Sequence, residues 1–177
     1  PQVETIRDAL DRDCAVITVK ERELYRTYAL FRERPTLVIT DSQAFSKTAA
    51  DIAPDQPLTS FSILFARKKG DLTRYLAGTR KLETIGRKAR VLIFESCAHH
   101  RAPDDIGTVK LPRLIKKHTG KELVFAFTSG GEFPDDLSAY ALVVHCGGCM
   151  LNDREMMHRM NLAASAGVPI TNYGIAI

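Results

Sequence analysis

Short runs of consecutive apolar and β-branched residues alternate along this chain with helical patterns, and this alternation limits the folds that the chain can adopt. Continuously apolar strands are typical of parallel sheets, because helices cover both faces of such a sheet. Strands that alternate with helices also favour parallel pairing, since each helix returns the chain to the same end of the sheet. The strand-like runs are residues 15–19, 36–40, 91–94, 123–127, 141–144 and 168–171. We therefore predict an α/β fold with mainly parallel sheets flanked by helices.

The pattern pauses at Gly86-Arg87-Lys88, a short polar segment that follows two predicted helices. A polar segment that contains glycine is typical of a domain boundary. We predict two small α/β units, residues 1–86 and 87–177. Because the chain opens on Pro1 inside a helical pattern and without Met, we also expect it to be part of a longer protein.

Charge and hydropathy argue against a nucleic-acid partner and against a membrane protein. The net charge is only +4, from 25 basic and 21 acidic residues, and the basic residues are scattered rather than interleaved with aromatic ones. No apolar run approaches the roughly 20 residues that cross a bilayer, and residues 1–10 are too charged for a secretory leader. We expect a cytoplasmic protein. Clustered cysteines in a reducing compartment indicate metal or redox chemistry, whereas Cys14, which has no partner motif, is expected in the core.

Two groups of metal-binding residue types follow two of the predicted strands. They are Cys97-Ala98-His99 after residues 91–94, and His145-Cys146-Gly147-Gly148-Cys149 after residues 141–144. The carboxyl ends of parallel strands lie at one edge of a sheet, where α/β proteins bind their ligands. The two glycines would let the backbone wrap closely around a metal. We predict that Cys97, Cys146 and Cys149 bind one metal centre.

Three thiolates leave the kind of metal open. A 4Fe–4S cluster usually has four cysteine ligands, so one iron here would be open or bound exchangeably by His99, His145 or Glu95. The same residues could form a Cys3His zinc site. The chemistry favours an iron–sulfur cluster. The alternatives are a structural zinc module and a small metalloenzyme that uses the same site.

These residues and their neighbours resemble HydF, the FeFe-hydrogenase maturation GTPase family. The Cys-x-His pair followed by His-Cys-x-x-Cys is similar to the signature of that family, and the resemblance extends over essentially the whole chain. The segments that carry it are residues 95–100, 103–107, 145–152 and 167–174, and upstream residues 19–24, 37–43 and 58–67.

The resemblance implies a dimerisation domain over residues 1–86 and a cluster-binding domain over residues 87–177. It implies a homodimeric scaffold in which Cys97, Cys146 and Cys149 hold a 4Fe–4S cluster. Such a scaffold receives a di-iron precursor from two radical-SAM maturases and delivers it to apo FeFe-hydrogenase.

One feature of that family is missing from this sequence. HydF proteins have an N-terminal GTPase domain, but this chain has no G-x-x-x-x-G-K-[ST] loop to bind phosphates. We therefore expect that the chain does not bind or hydrolyse GTP and is not itself an enzyme. The resemblance also suggests that the chain stops at Ile177 before the natural end.

Overall fold

The computed structural model describes residues 1–96, 105–130 and 132–176, and it contains two compact units, Pro1–Phe61 and Ser62–Ile177. Both units combine helices with parallel strands, which confirms the predicted α/β class. Along the chain, the first unit ends at Phe61, whereas the sequence predicted a boundary near Gly86. The residues between these two positions form helices that pack in the second unit.

The first unit contains a two-stranded parallel sheet and three α-helices. Its elements are α1 (Gln2–Leu10), α2 (Leu24–Ala29), β1 (Val38–Thr40), α3 (Phe45–Asp51) and β2 (Leu58–Ser60), with 3₁₀ turns at Glu21–Glu23 and Ser42–Ala44. Strand β1 pairs with β2 so that Ile39 lies opposite Thr59. The short strand β2 was not predicted, because three residues give too little alternation to recognise.

Much apolar surface of the first unit is exposed. The buried apolar side chains in this unit are Val38 and Ile52, whereas Val3 is 80% exposed and Leu30 is 85% exposed. The predicted strand at residues 15–19 is wrong, since this segment is irregular and largely exposed. A β-branched run forms a strand only where a neighbouring strand accepts it. The expectation of a core position for Cys14 is also wrong, because that residue is exposed.

The second unit is built around a four-stranded parallel sheet with the order β4-β3-β5-β6. Its strands are β3 (Arg90–Glu95), β4 (Val124–Ser129), β5 (Leu142–His145) and β6 (Ile170–Asn172). Its helices are α4 (Phe61–Lys69), which starts at the last residue of the first unit, α5 (Leu72–Thr84), α6 (Leu111–Thr119), α7 (Asp153–Ser165) and α8 (Tyr173–Ala176), with a π-helical turn at Ile106–Lys110. No helix in the described ranges is long and apolar enough to cross a bilayer.

The central strands β3 and β5 are buried on both sides, as their continuous apolar sequences predict. Successive side chains of a strand point to opposite faces, and two core clusters follow from this. Leu92 and Val143 belong to a cluster with Met156 and Met160 of α7. Ile93 and Val144 belong to the other cluster, and the remaining buried members of that cluster are Leu82, Ile85, Val91, Leu111, Ile115, Leu123, Leu142 and Tyr173.

Helix α5 approaches the sheet closely at Gly78. A Cβ atom added to Gly78 would collide with the backbone carbonyl of Ile170 in β6, so this position requires glycine. Asp71 caps the helix by accepting a hydrogen bond from the Arg74 N–H at 3.1 Å. The close approach at Gly78 brings α5 directly onto β6.

Candidate metal centre

The sheet of the second unit changes its direction of winding between β3 and β5. From β3 the chain passes through α6 to β4 on one side, and from β5 it passes through α7 to β6 on the other. Such a switch point leaves a crevice beyond the carboxyl ends of the two strands, where open α/β sheets bind ligands. Phe94 pairs with His145 at these ends. The strand ends that precede the two predicted cysteine motifs are therefore direct neighbours.

The structure describes two of the three predicted cysteine ligands. Cys146 is partly buried and Cys149 is exposed. Cys97 and His99 lie outside the described residues, and Cys97 follows Ser96 directly in the sequence. Within residues 1–96, 105–130 and 132–176, no three His, Cys, Asp or Glu side chains form a group that could hold a metal ion. The predicted ligand set therefore stays a prediction.

The sulfur of Cys146 accepts two backbone hydrogen bonds. The Ser96 N–H donates to Sγ at 3.2 Å, and the Gly148 N–H donates to it at 3.4 Å. Backbone N–H groups that donate to cysteine sulfurs are a common part of the surroundings of sulfur-bound metal centres. The surroundings of Cys146 thus suit a thiolate ligand, and one of the donors lies at the end of the neighbouring strand.

Of the two glycines between Cys146 and Cys149, Gly148 is the one that the loop requires. Its φ angle is +62°, and an added Cβ would collide with the terminal methyl group of Met156. An added Cβ on Gly147 would lie 3.5 Å from Ser62 Oγ, an ordinary contact. Gly148 therefore allows both the left-handed turn and the close approach of the loop to α7.

His145 is fully buried, and both of its ring nitrogens are engaged. Nδ1 lies 2.7 Å from the carbonyl oxygen of Cys146, and Nε2 lies 3.2 Å from Nη1 of Arg159. Because a guanidinium can only donate, Nε2 is assigned as the acceptor and Nδ1–H as the donor. Burial, together with the charge of Arg159, lowers the pKa of His145 to about 4. This arrangement keeps the imidazole neutral and orients the backbone at Cys146.

Arg159, on α7, is a buried residue of the candidate site that no motif in the sequence had predicted. It is 1% exposed, and its Nε donates to Glu155 Oε1 at 2.7 Å. The guanidinium lies 4.8 Å from the ring centroid of Phe94. Its position in the sequence indicates burial, because Arg159 follows Met156 by three residues and therefore lies on the buried face of the helix.

Lys69, at the end of α4, is a second buried cation, and no motif in the sequence had predicted it. Its Nζ donates to the carbonyl oxygens of Gly148 at 3.3 Å, Cys149 at 3.2 Å and Leu151 at 2.7 Å. A basic residue at the end of a helix usually extends into solvent, so the sequence carried no signal for this contact.

Glu95, the last residue of β3, is buried beside Tyr173. The Tyr173 hydroxyl donates to Glu95 Oε1 at 3.5 Å. Burial and the nearby charge of Glu95 raise the pKa of this tyrosine above its usual value. Asp105 begins the following helical turn by accepting the N–H groups of Gly107 and Thr108. A role for Glu95 as a metal ligand stays a prediction.

Two protein-family models together match nearly the whole chain. Residues 73–177 match the family model described as the hydrogen maturase F tetramerization domain, and residues 1–70 match the hydrogen maturase F dimerization domain. Both descriptions refer to assembly of the protein rather than to catalysis. A search of curated proteins returned no match. The matched regions meet just after Lys69, at the end of α4.

Proposed function

Because this chain belongs to the hydrogen maturase F family, we propose that it acts as a scaffold for a 4Fe–4S cluster and delivers a di-iron precursor to apo FeFe-hydrogenase. A role in hydrogenase maturation follows from the family. The matched domains serve oligomerization, which supports a carrier rather than an enzyme. In this proposal two radical-SAM maturases supply the precursor.

One contact carries the proposal: the hydrogen bond from the Ser96 N–H to Cys146 Sγ, with a donor–acceptor distance of 3.2 Å. Cys97 directly follows Ser96 in the sequence. Cys149 follows Cys146 by three residues across a loop that Gly148 turns back on itself. These relationships support one centre for Cys97, Cys146 and Cys149.

The neighbouring charges fit an anionic group held by thiolates. Lys69 lies buried against the cysteine loop, and Arg159 lies buried beside His145, where it is paired with Glu155. The buried carboxylate of Glu95 lies at the end of β3 and offsets part of this positive charge. Cationic surroundings favour thiolates and a negatively charged cluster. With three cysteine ligands, a bound cluster would supply one iron with an exchangeable position.

The side chains proposed for that exchangeable position have different surroundings. His145 is engaged at both nitrogens, which supports a role in orienting Cys146. Glu95 lies at the end of β3 beside Tyr173. We infer that His145 orients Cys146 rather than exchanging with cargo, because ligation by His145 would disrupt its contact with Arg159. Glu95 and His99 stay candidates for the exchangeable position.

Anaerobic reconstitution with iron and sulfide tests cluster binding. We expect about four irons per chain and an EPR signal after reduction. Replacing Cys97, Cys146 or Cys149 by Ser should lower the iron content and alter the signal. Cys14→Ser is the matched control, because Cys14 is exposed and lies in the first unit. Stoichiometric zinc without iron in the unmodified chain would contradict the proposal.

Delivery needs a separate experiment. The unmodified chain, loaded by the radical-SAM maturases, should activate apo FeFe-hydrogenase, and Cys146→Ser should not. Iron binding without activation of the hydrogenase would support a cluster protein but would refute delivery by this chain.

A further inference from the structure

A buried ammonium group approaches the Cys146–Cys149 loop from the end of α4. Lys69 is 8% exposed, and its Nζ contacts the carbonyl oxygens of Gly148, Cys149 and Leu151. We propose that Lys69 is a positioning residue for the cluster. Its side chain fixes the loop between Cys146 and Cys149 and places a positive charge beside that loop. This inference rests on the function proposed above.

The contact is specific rather than incidental. Lysine is almost never fully buried without partners, because removing its charge from water is unfavourable. An ammonium group has three donors, and here three backbone carbonyls accept from it. The Phe65 ring centroid lies 4.6 Å from Nζ, so an aromatic face adds a further attraction. The loop thus forms a matched set of acceptors for this side chain.

These acceptors span the part of the loop that contains Cys149. The Leu151 N–H also donates to the Gly148 carbonyl at 3.0 Å, which closes a turn around Cys149. A trans peptide directs its N–H group opposite to its carbonyl. Holding the carbonyls of Gly148 and Cys149 on Lys69 therefore turns the N–H groups of Cys149 and Met150 to the opposite side of the loop. Lys69 thereby sets which polar groups the loop offers to a bound cluster.

The charge of Lys69 would also affect the redox state of that cluster. Reduction adds negative charge, and a nearby cation stabilises the reduced form relative to the oxidised form. Lys69 is the last residue of α4 and lies where the two matched domains meet in the sequence.

Amide hydrogen exchange on the cluster-free chain tests the structural part of this proposal. We expect Lys69→Met to accelerate exchange at the Leu151 amide on the order of tenfold, because the loop loses hydrogen bonds to a charged donor. Lys68→Met is the matched control, since it makes the same change at the preceding, exposed position of α4. It should leave the Leu151 exchange rate unchanged.

The midpoint potential of the reconstituted cluster tests the electrostatic part. Lys69→Met should shift it to lower potential, whereas Lys68→Met should not. Lys69→Arg keeps the charge but replaces a compact ammonium by a planar fork, so it should retain most of the potential and still accelerate loop exchange. This second variant also tests the proposal if Lys69→Met fails to fold.

The outcomes separate this inference from the proposed function. Absence of iron in the unmodified chain would overturn the proposed scaffold role and, with it, the role of Lys69 toward a cluster. Normal iron content, with exchange rates and potentials equal to those of the unmodified chain in every folded Lys69 variant, would overturn only the inference about Lys69.

Discussion

Arg159 Nη1 lies 3.2 Å from His145 Nε2, and Arg159 Nη1 also lies 3.1 Å from Ser96 Oγ. Ser96 and His145 each directly precede a proposed cysteine ligand, Cys97 and Cys146. One buried guanidinium on α7 thus connects the ends of two strands at the place where the two cysteine motifs begin. The distance between the two cysteine motifs would depend on these side-chain hydrogen bonds as well as on the backbone pairing of β3 with β5.

Replacing Arg159 by Met should destabilise the second unit by about 2–3 kcal/mol, because His145, Ser96 and Glu155 lose hydrogen bonds to a charged donor. Urea denaturation measures the change. Arg154→Met is the control, since Arg154 is exposed on the same helix, and it should change the free energy of unfolding by less than about 0.5 kcal/mol. Equal effects of the two substitutions would show that the buried contacts contribute no stability.

Gly148→Ala should destabilise the cysteine loop, whereas Gly147→Ala should be tolerated. Alanine at position 148 would have to adopt a φ of +62° and would press its Cβ against Met156. The left-handed conformation alone costs about 1–2 kcal/mol, whereas the Met156 methyl group ends a flexible side chain and can shift at little cost. Thermal unfolding and iron content after reconstitution measure both consequences. If Gly148→Ala is as stable as the unmodified chain, the loop does not require the left-handed conformation at position 148.

Asn152 connects the cysteine loop to α7, and removing its side chain should lower the free energy of unfolding. Its side chain accepts a hydrogen bond from the Glu155 N–H at 2.8 Å as the N-cap. Asn152→Ala should cost about 1 kcal/mol of unfolding free energy, whereas Asn152→Asp should retain most of the stability, because aspartate is an equally good cap. Denaturant melts of both variants give the comparison. Equal losses in both would assign the effect to something other than capping.

Gly78→Ala is a test in which two effects oppose each other. Alanine favours a helix over glycine by about 1 kcal/mol, but its Cβ would collide with the Ile170 carbonyl. The collision involves backbone that cannot move cheaply, so we expect a net loss of about 1–3 kcal/mol. Gly86→Ala, where an added Cβ meets nothing within 4 Å, should be neutral or slightly stabilising. A stabilised Gly78→Ala variant would contradict the close packing of α5 on β6.

The predictable elements are those whose pattern does not depend on distant partners. Strands β3 and β5 have continuous apolar sequences, and α7 has a cap at Asn152 and a buried stripe of methionines. The segment 15–19 has similar β-branched residues but is irregular. Strand propensity identifies residues that suit a sheet, but whether they form a strand depends on tertiary contacts with a neighbouring strand.

The candidate site divides in the same way. Cysteines and histidines at two strand ends are visible in the sequence, because few other residue types bind metals. Lysine and arginine are nearly always exposed, so neither Lys69 nor Arg159 was predicted to be buried. For Arg159 the spacing from Met156 on α7 indicated a buried position, whereas the burial of Lys69 depends on acceptors far away in the chain. The acceptors of Lys69 are Gly148, Cys149 and Leu151, and no local pattern connects them to α4.

The exposed apolar side chains of the first unit have a consequence for how this protein folds. With Val38 and Ile52 as its buried apolar residues, and with Val3, Ile17 and Leu30 more than half exposed, the unit gains little stability from its own interior. Residues 1–70 match a dimerization domain, so association can cover such surface. Folding and assembly of this unit then form a single equilibrium, and its melting temperature should rise with protein concentration while that of the second unit's sheet changes less.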